Sequence, residues 1–191
     1  MTESARPLGA DLARIAVFAA LIVVLGTVVV PVPGGVPITA QTLGVMLAGL
    51  VLGARRAPLA ILVVLALAAA GLPVLAGGRG GLGVFVGPSV GYMIGWIAGV
   101  VVIGLIAHRA RFTWWRAGIA ALVGGILVIY LFGIPIQALI TGVPLGPTIL
   151  SSLVFLPGDL IKAAVAVLLA VALRRAYPRA FPAARRVAHA G

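Results

Sequence analysis

The polar and apolar positions divide the chain into six apolar runs separated by short polar or glycine-rich connections. The runs cover Leu12–Val30, Gln41–Leu52, Pro58–Ala70, Pro88–Ala107, Ala117–Ile140 and Thr148–Leu173. A helix needs about 20 apolar residues to cross the hydrocarbon core of a membrane. The pattern therefore predicts six transmembrane helices in a single membrane domain over 1–191, with a core over 10–175 and a basic tail over 174–191.

The second and third runs are short for membrane spans. Their flanks, Val36–Ala40 and Leu72–Ala76, lengthen them, but Pro37 and Pro73 then fall inside the extensions and predict irregular ends. Irregular backbone at membrane depth is tolerated where it packs against protein or lines a cavity. For the first run a signal peptide is the alternative, but no small-residue cleavage pattern follows it, so we expect a first transmembrane helix.

Composition agrees with an integral membrane protein. Hydrophobic residues make up 63% of the chain and charged residues 9%, and the mean hydropathy is +1.27. Globular proteins average roughly 45–50% apolar and 25% charged residues. Cysteine is absent, which excludes disulfides, thiolate catalysis and sulfur-ligated metal sites.

The arginines indicate how the helices are oriented. Twelve of them fall before or at the start of the first run, between the second and third, between the fourth and fifth, or after the sixth: Arg6, Arg14, Arg55, Arg56, Arg109, Arg111, Arg116, Arg174, Arg175, Arg179, Arg185 and Arg186. Basic residues concentrate on the cytoplasmic side of membrane proteins. We therefore expect both termini in the cytoplasm of a multi-pass protein of the cytoplasmic membrane. This orientation also explains the net charge of +11 better than a nucleic-acid partner does, and we expect none.

Arg79 is the exception, since it stands alone on the predicted outer side in the sequence AGGRGGLG. Glycines are frequent throughout the connection from Leu72 to Val86, which is typical of a mobile flap over an outward-facing cavity. Two roles remain open for Arg79. It either contacts a ligand beneath the loop or is a solvated loop residue without a contact.

Asp159 and Lys162, the only lysine, lie inside the sixth run. Counted from Leu173, they lie roughly 21 and 16 Å from the cytoplasmic edge of a core about 30 Å thick. A charge at this depth costs on the order of 2.5–3.5 kcal/mol, so the pair must face protein or a wet cavity. Their spacing of three places both on one helix face. One interpretation is a polar ligand site; the other is a structural ion pair, with Asp159 also capping a helix that starts after Pro157.

Two other stretches allow more than one use. Glycines recur every four residues from Gly87 to Gly99, which permits close approach by a neighbouring helix or by a ligand. In the sequence PITAQT, Thr39 and Gln41 stand at the outer start of the second helix. Their side chains can either cap that helix or meet a ligand.

Catalysis is a weak hypothesis for this chain. The two histidines, His108 and His189, lie at the cytoplasmic edge and in the tail, while Glu3 and Asp11 lie far from Asp159 along the membrane normal. These positions favour neither a catalytic triad nor a metal site. No G-x-x-x-x-G-K-[ST] sequence occurs, so we do not expect this chain to hydrolyse ATP.

Four motifs, in order and with compatible spacing, resemble BioY, the biotin-specific S component of energy-coupling factor (ECF) vitamin transporters. They are VPITAQTLGVMLAGLVLG, GLPVLAGGRGGLGVFVGPSVGY, YLFGIPIQALITG and FLPGDLIKA. The resemblance covers about residues 10–175. It implies the all-α S-component fold with six transmembrane helices, capture of biotin near the outer surface, and docking to a transmembrane coupling subunit driven by two ATP-binding subunits.

The resemblance also implies site residues. The family's PGD..K pattern matches Asp159 and Lys162, which hydrogen-bond the ureido ring of biotin in such proteins. Small residues spaced by four on the first helix dock on the coupling subunit, and Ala16 and Ala20 fit this pattern, with simple helix packing as the alternative. Arg79 as the carboxylate contact is our own inference. We place seven residues in the predicted substrate site: Asp159, Lys162, Arg79, Thr39, Gln41, Gly91 and Tyr92.

In this interpretation biotin is the transported ligand, and we expect no cofactor and no metal. The competing hypothesis is a small structural or assembly membrane protein in which Asp159 and Lys162 form only a stabilising pair. Whether the chain acts alone, as an oligomer or only with an ATP-driven module also remains open.

Overall fold

Long apolar helices form most of the fold. The structure is a computed structural model and describes residues 8–30 and 36–182. The helices in chain order are α1 (Leu8–Leu25), α2 (Gln41–Ala69), α3 (Val90–His108), α4 (Trp114–Leu122), α5 (Ile129–Thr141), α6 (Leu145–Ser152) and α7 (Leu156–Ala176). A π-helical segment, Val123–Val128, joins α4 to α5 without a break.

Short elements connect the helices. Two-residue strands, β1 (Val29–Val30) and β2 (Ile38–Thr39), pair antiparallel after α1. Single 3₁₀ turns cover Ala76–Gly78, Leu82–Phe85, Leu153–Phe155 and Pro178–Ala180. The first apolar run was predicted to be helical to Val30, and this was wrong for its last residues. The helix ends at Leu25, and Val29 and Val30 are β-branched residues that pair with β2.

The helix α2 reverses direction at Gly53. This residue has φ 75° and ψ 177°, a conformation open to glycine but strained for other residues. A straight helix of this length would extend roughly 43 Å. Instead, Gln41 at its start donates a side-chain hydrogen bond of 3.1 Å to the Val74 carbonyl, just past its end. The two halves therefore fold back on each other, as the separate second and third apolar runs predicted.

The two ends of the bundle differ in chemistry. At one end, Arg56 pairs with Asp11 of α1 at 2.8 Å, and His108 at the end of α3 bonds the Leu50 carbonyl beside the α2 reversal. We call this the arginine-rich end. The opposite end, where α2 begins and the loop over 70–89 lies, is called the cavity end. Of the twelve arginines expected on one side, Arg6, Arg185 and Arg186 lie outside the described residues.

The glycine stripe of α3 serves helix packing. A Cβ added at Gly95 would lie 2.9 Å from the Ile129 backbone, and one at Gly99 would lie 2.5 Å from the Gly124 carbonyl oxygen. The glycines thus let α3 approach α5 and the π-helical segment at backbone distance. These contacts show helix packing, which is one of the two uses predicted for the glycine stripe.

Many large apolar side chains lie on the outer surface, among them Val17, Leu105, Leu131 and Leu168. Such a surface suits lipid, since apolar patches of this extent are rare on soluble monomers. Five helical segments are long and apolar enough to cross a membrane: Leu8–Leu25, Gln41–Ala69, Val90–His108, Trp114–Thr141 and Leu145–Ala176. The chain is a mostly helical, multi-pass membrane protein.

Candidate functional site

A cavity opens at the cavity end, between the starts of α2, α3 and α7. It encloses about 620 Å³, including its open mouth. The walls are mostly apolar and include Ile38, Met93, Ile129 and Phe155. The polar side chains of Asp159 and Lys162 reach into the same space.

Asp159 and Lys162 form the centre of a hydrogen-bond network in this cavity. Lys162 Nζ lies 2.8 Å from Asp159 Oδ1 and donates to Thr42 Oγ1 at 3.0 Å. Thr42 in turn donates to Asp159 Oδ1 at 3.2 Å, and the Tyr130 hydroxyl donates to Asp159 Oδ2 at 2.8 Å. Three side chains, one each from α2, α5 and α7, thus converge on one carboxylate.

The network is buried but retains bonding capacity. Asp159 is 4% exposed, and the side chain of Lys162 is 15% exposed. An ammonium has three N–H donors, and a carboxylate has about four lone-pair sites. Two donors of Lys162 and three acceptor sites of Asp159 are used within the described residues. One N–H and one lone pair therefore remain for a ligand that carries both an acceptor and a donor.

Asp159 does not cap the helix in this structure. The helix α7 starts at Leu156 with Pro157 in its first turn, and no side-chain hydrogen bond caps it. The carboxylate is instead used by Lys162, Thr42 and Tyr130. This geometry leaves no support for helix capping as the role of Asp159.

Thr39 and Gln41 line the cavity and also stabilise the backbone around it. Thr39 Oγ1 accepts a hydrogen bond of 3.3 Å from the Gln41 backbone N–H, which satisfies a free donor at the start of α2. The Gln41 side-chain amide is buried and bonds the Val74 carbonyl. Thr39 thus serves a helix-start N–H, the Gln41 side chain bonds a distant loop, and ligand contact remains a prediction for both.

Tyr92 and Gly91 are adjacent in sequence but face different surroundings. The Tyr92 ring lines the cavity, and its hydroxyl donates to Gln137 Oε1 at 2.8 Å and lies 3.2 Å from Ser152 Oγ. Gly91 faces α5, where an added Cβ would lie 2.7 Å from the Phe132 carbonyl oxygen. The structure thus places Tyr92 at the cavity and Gly91 in the helix interface.

Arg79 belongs to the loop that borders the cavity mouth. Leu75, Ala76 and Arg79 all line the cavity, and Arg79 Nε donates to the Ala76 carbonyl at 3.1 Å. This bond holds the guanidinium beside its own loop. None of the salt bridges among the described residues involves Arg79.

Ala16 and Ala20 lie away from the cavity, on the exposed face of α1. Their neighbours Ile15 and Ala19 are buried against the bundle. The two alanines therefore present a small-residue surface outward, where another helix can approach closely. Within residues 8–30 and 36–182, no three His, Asp or Glu side chains group as metal ligands do.

Sequence reasoning missed two members of the network, Thr42 and Tyr130. Thr42 lies in the same PITAQT stretch as Thr39, and its position one residue into α2 was the available signal. Tyr130 had no local signal, because it reaches Asp159 across 29 residues through the packing of α5 on α3.

Comparison with known proteins identifies the family. The model of the BioY family matches residues 1–179. The chain belongs to the BioY family. This confirms the resemblance of the four motifs. The BioY-family chain is 48% identical over 179 residues to the biotin transporter BioY of Rhizobium etli, covering 88% of this chain and 95% of the relative.

Two further matches support the family and its fold. Over 180 residues the BioY-family chain is 48% identical to the biotin transporter BioY of Rhodobacter capsulatus, covering 87% of this chain and 94% of the relative. A crystal structure of the S-component for biotin from an ECF-type ABC transporter superposes with a TM-score of 0.83 at 34% identity, covering 92% of this chain and 95% of that one. The helices thus adopt the S-component fold.

Proposed function

We propose that this chain binds biotin and takes it up across the cytoplasmic membrane, as the substrate-binding S component of an ECF-type transporter. The observation that carries the proposal is the buried Asp159–Lys162 pair in the cavity of a BioY-family member. The relatives are named biotin transporters, and the solved neighbour is the S-component for biotin. In this proposal the chain is a transporter subunit and not an enzyme, and no cofactor takes part.

The chemistry of the pair suits the ureido ring of biotin. That ring has two N–H donors and one carbonyl acceptor. The remaining lone pair of Asp159 can accept from an N–H, and the remaining N–H of Lys162 can donate to the carbonyl oxygen. The apolar walls formed by Met93, Ile129 and Phe155 suit the thiophane ring and the valeryl chain.

Calorimetry on the purified chain tests this function. Biotin should bind saturably with one site per chain. Lipoic acid is a matched control, because it carries a similar acid chain on a sulfur ring but has no ureido group, and it should bind at least about 100-fold more weakly, since the charged contacts are lost. Equal affinity for the two ligands would contradict the ureido site.

We also propose six membrane crossings with both termini in the cytoplasm. The reversal at Gly53 supports this, because it turns one long helical segment into two short antiparallel halves. The arginine-rich end then faces the cytoplasm by the positive-inside rule. The cavity end faces outward, where biotin arrives.

The absence of cysteine makes this topology easy to test. Leu82 is exposed in the loop at the cavity end, and Arg111 is exposed between α3 and α4. A membrane-impermeant maleimide should label Leu82→Cys in intact cells and label Arg111→Cys only after permeabilisation. The reverse labelling would contradict the orientation.

Energy for uptake comes from partners in this proposal. The solved neighbour is part of an ECF-type ABC transporter. By that relationship, a transmembrane coupling subunit and two ATP-binding subunits act on this chain. The exposed alanines of α1, Ala16 and Ala20, are the proposed docking face.

A further inference from the structure

Two buried polar atoms in the cavity have no partner among the described residues. They are Ser89 Oγ and Trp96 Nε1, on residues that are 7% and 6% exposed. Both residues line the cavity. The only other such atom in the described part of the chain is Thr113 Oγ1, at the start of α4 near the arginine-rich end.

The two atoms lie on one face of α3. Ser89, Tyr92, Met93 and Trp96 follow the spacing i, i+3, i+4 and i+7, which puts them along a single stripe. All four line the cavity. Ser89 and Trp96 are about 10 Å apart along the helix axis. Ser89 precedes the first turn of α3, near the loop of Arg79, and Trp96 lies two turns deeper.

The stripe has polar atoms at its ends and an apolar middle. Met93 carries no hydrogen-bond donor, and the Tyr92 hydroxyl already bonds Gln137 and Ser152. Burial of a polar group without a partner costs free energy, and native structures satisfy nearly all such groups. The stripe therefore fits an elongated ligand with a polar group at each end.

The chemistry of each atom limits its partner. An indole N–H can only donate, so Trp96 requires an acceptor at the deep end of the cavity. A hydroxyl can donate to an anion at the mouth, where Arg79 also lies. The rigid ureido ring, whose proposed partners Asp159 and Lys162 line the same cavity, suits the buried end, and the carboxylate of biotin suits the mouth.

We propose that Trp96 and Ser89 are two further specificity-determining contacts: Trp96 Nε1–H donates to the ureido carbonyl oxygen of biotin, and the Ser89 hydroxyl donates to its carboxylate. This inference rests on the proposed function. A carbonyl oxygen accepts two hydrogen bonds, so Lys162 and Trp96 share it while Asp159 receives a ureido N–H.

Substitutions that remove each donor test the inference, with biotin and biotin methyl ester as probes. Trp96→Phe keeps an aromatic ring but removes the indole N–H, and it should weaken the binding of both ligands equally, by roughly tenfold. Ser89→Ala should lower the affinity for biotin by roughly tenfold or more but that for the ester by no more than about threefold. The reason is that a hydrogen bond to a charged acceptor is stronger than one to a neutral acceptor. Thr113→Val removes the third unpartnered polar atom, a hydroxyl outside the cavity, and should leave both dissociation constants unchanged.

The wild-type chain provides a readout that does not depend on the folding of a variant. It contains three tryptophans, Trp96, Trp114 and Trp115, and the last two are exposed at the start of α4. In a ¹H–¹⁵N spectrum, biotin should move one indole N–H signal downfield and leave two in place. Three unmoved signals would overturn the Trp96 contact.

The possible failures are distinguishable. A wild-type chain that binds no biotin overturns the proposed function and this inference together. If the wild-type chain binds biotin but Trp96→Phe has an unchanged dissociation constant, the Trp96 contact alone is overturned. Equal losses for biotin and its ester in Ser89→Ala overturn the carboxylate assignment alone.

Discussion

Two acid–base pairs in this protein share the same helical spacing but lie in different surroundings. Asp11 and Arg14 pair at 3.2 Å at the arginine-rich end, with side chains about one-fifth exposed. Asp159 and Lys162 pair at 2.8 Å in the cavity, where the aspartate side chain is 6% exposed. Arg56 adds a second cation to the first pair, whereas Thr42 and Tyr130 add only neutral hydroxyls to the second.

The two pairs differ in what their charges contribute to the protein. The Asp11–Arg14 pair is partly exposed, and ion pairs of this kind contribute about 0–1 kcal/mol to the stability of the fold. The buried pair pays a desolvation cost, and apolar residues in its place are often neutral or stabilising. Stability alone therefore gives no reason to keep Asp159 and Lys162 in an apolar cavity. Recognition of a polar ligand gives such a reason.

The largest effect is expected where the buried pair loses a charge. Asp159→Asn and Lys162→Ala should each weaken biotin binding by roughly two to three orders of magnitude. The reason is that truncating one member of a buried charge pair costs about 2–5 kcal/mol. Calorimetry on the purified variants measures this. Asp11→Asn is the matched control at the exposed pair and should bind biotin normally. Near-normal affinity in a folded Asp159→Asn protein would contradict the ureido assignment.

A second prediction separates binding from energised uptake. Ala16→Trp and Ala20→Trp should leave the biotin dissociation constant unchanged but reduce uptake by the complete transporter at least about tenfold, since close helix approach requires small side chains. Ala172→Trp, at an exposed alanine of α7, is the control for a bulky residue facing lipid. Undiminished uptake by both α1 variants would place the docking face elsewhere.

The smallest effect concerns the charge at the cavity mouth. Arg79→Ala should lower the affinity for biotin roughly tenfold but barely change the affinity for biotin methyl ester. The reason is that a guanidinium donates two parallel hydrogen bonds to a carboxylate. Arg111→Ala, an exposed arginine between α3 and α4, should change neither. Equal losses for both ligands in Arg79→Ala would mean that the residue shapes the loop and does not contact the carboxylate.

Much of the fold followed from local sequence. Apolar runs predicted the helices to within a few residues at most ends, and the reversal of α2 at Gly53 falls between the second and third runs, close to Arg55 and Arg56. The spacing of Asp159 and Lys162 predicted their contact, because helical neighbours at i and i+3 share a face. These features depend on one segment at a time.

The rest depends on how distant segments pack. The register of α3 against α5 turns Tyr92 toward the cavity and Gly91 toward Phe132, and no local pattern sets that register. Tyr130 reaches Asp159 only because the π-helical segment and the glycines Gly95 and Gly99 bring α5 close to α3. Likewise, the strand at Val29 needs its partner at Thr39.

Thermal unfolding of a variant with an apolar pair tests the central claim most directly, namely that Asp159 and Lys162 serve the ligand and not the fold. In Asp159→Leu/Lys162→Met, the ligand-free melting temperature should equal or exceed that of the wild type. Biotin should raise the melting temperature of the wild type, because a ligand that binds the native state stabilises it, and should not affect the variant. A lower ligand-free melting temperature together with an intact biotin-dependent rise would contradict the account.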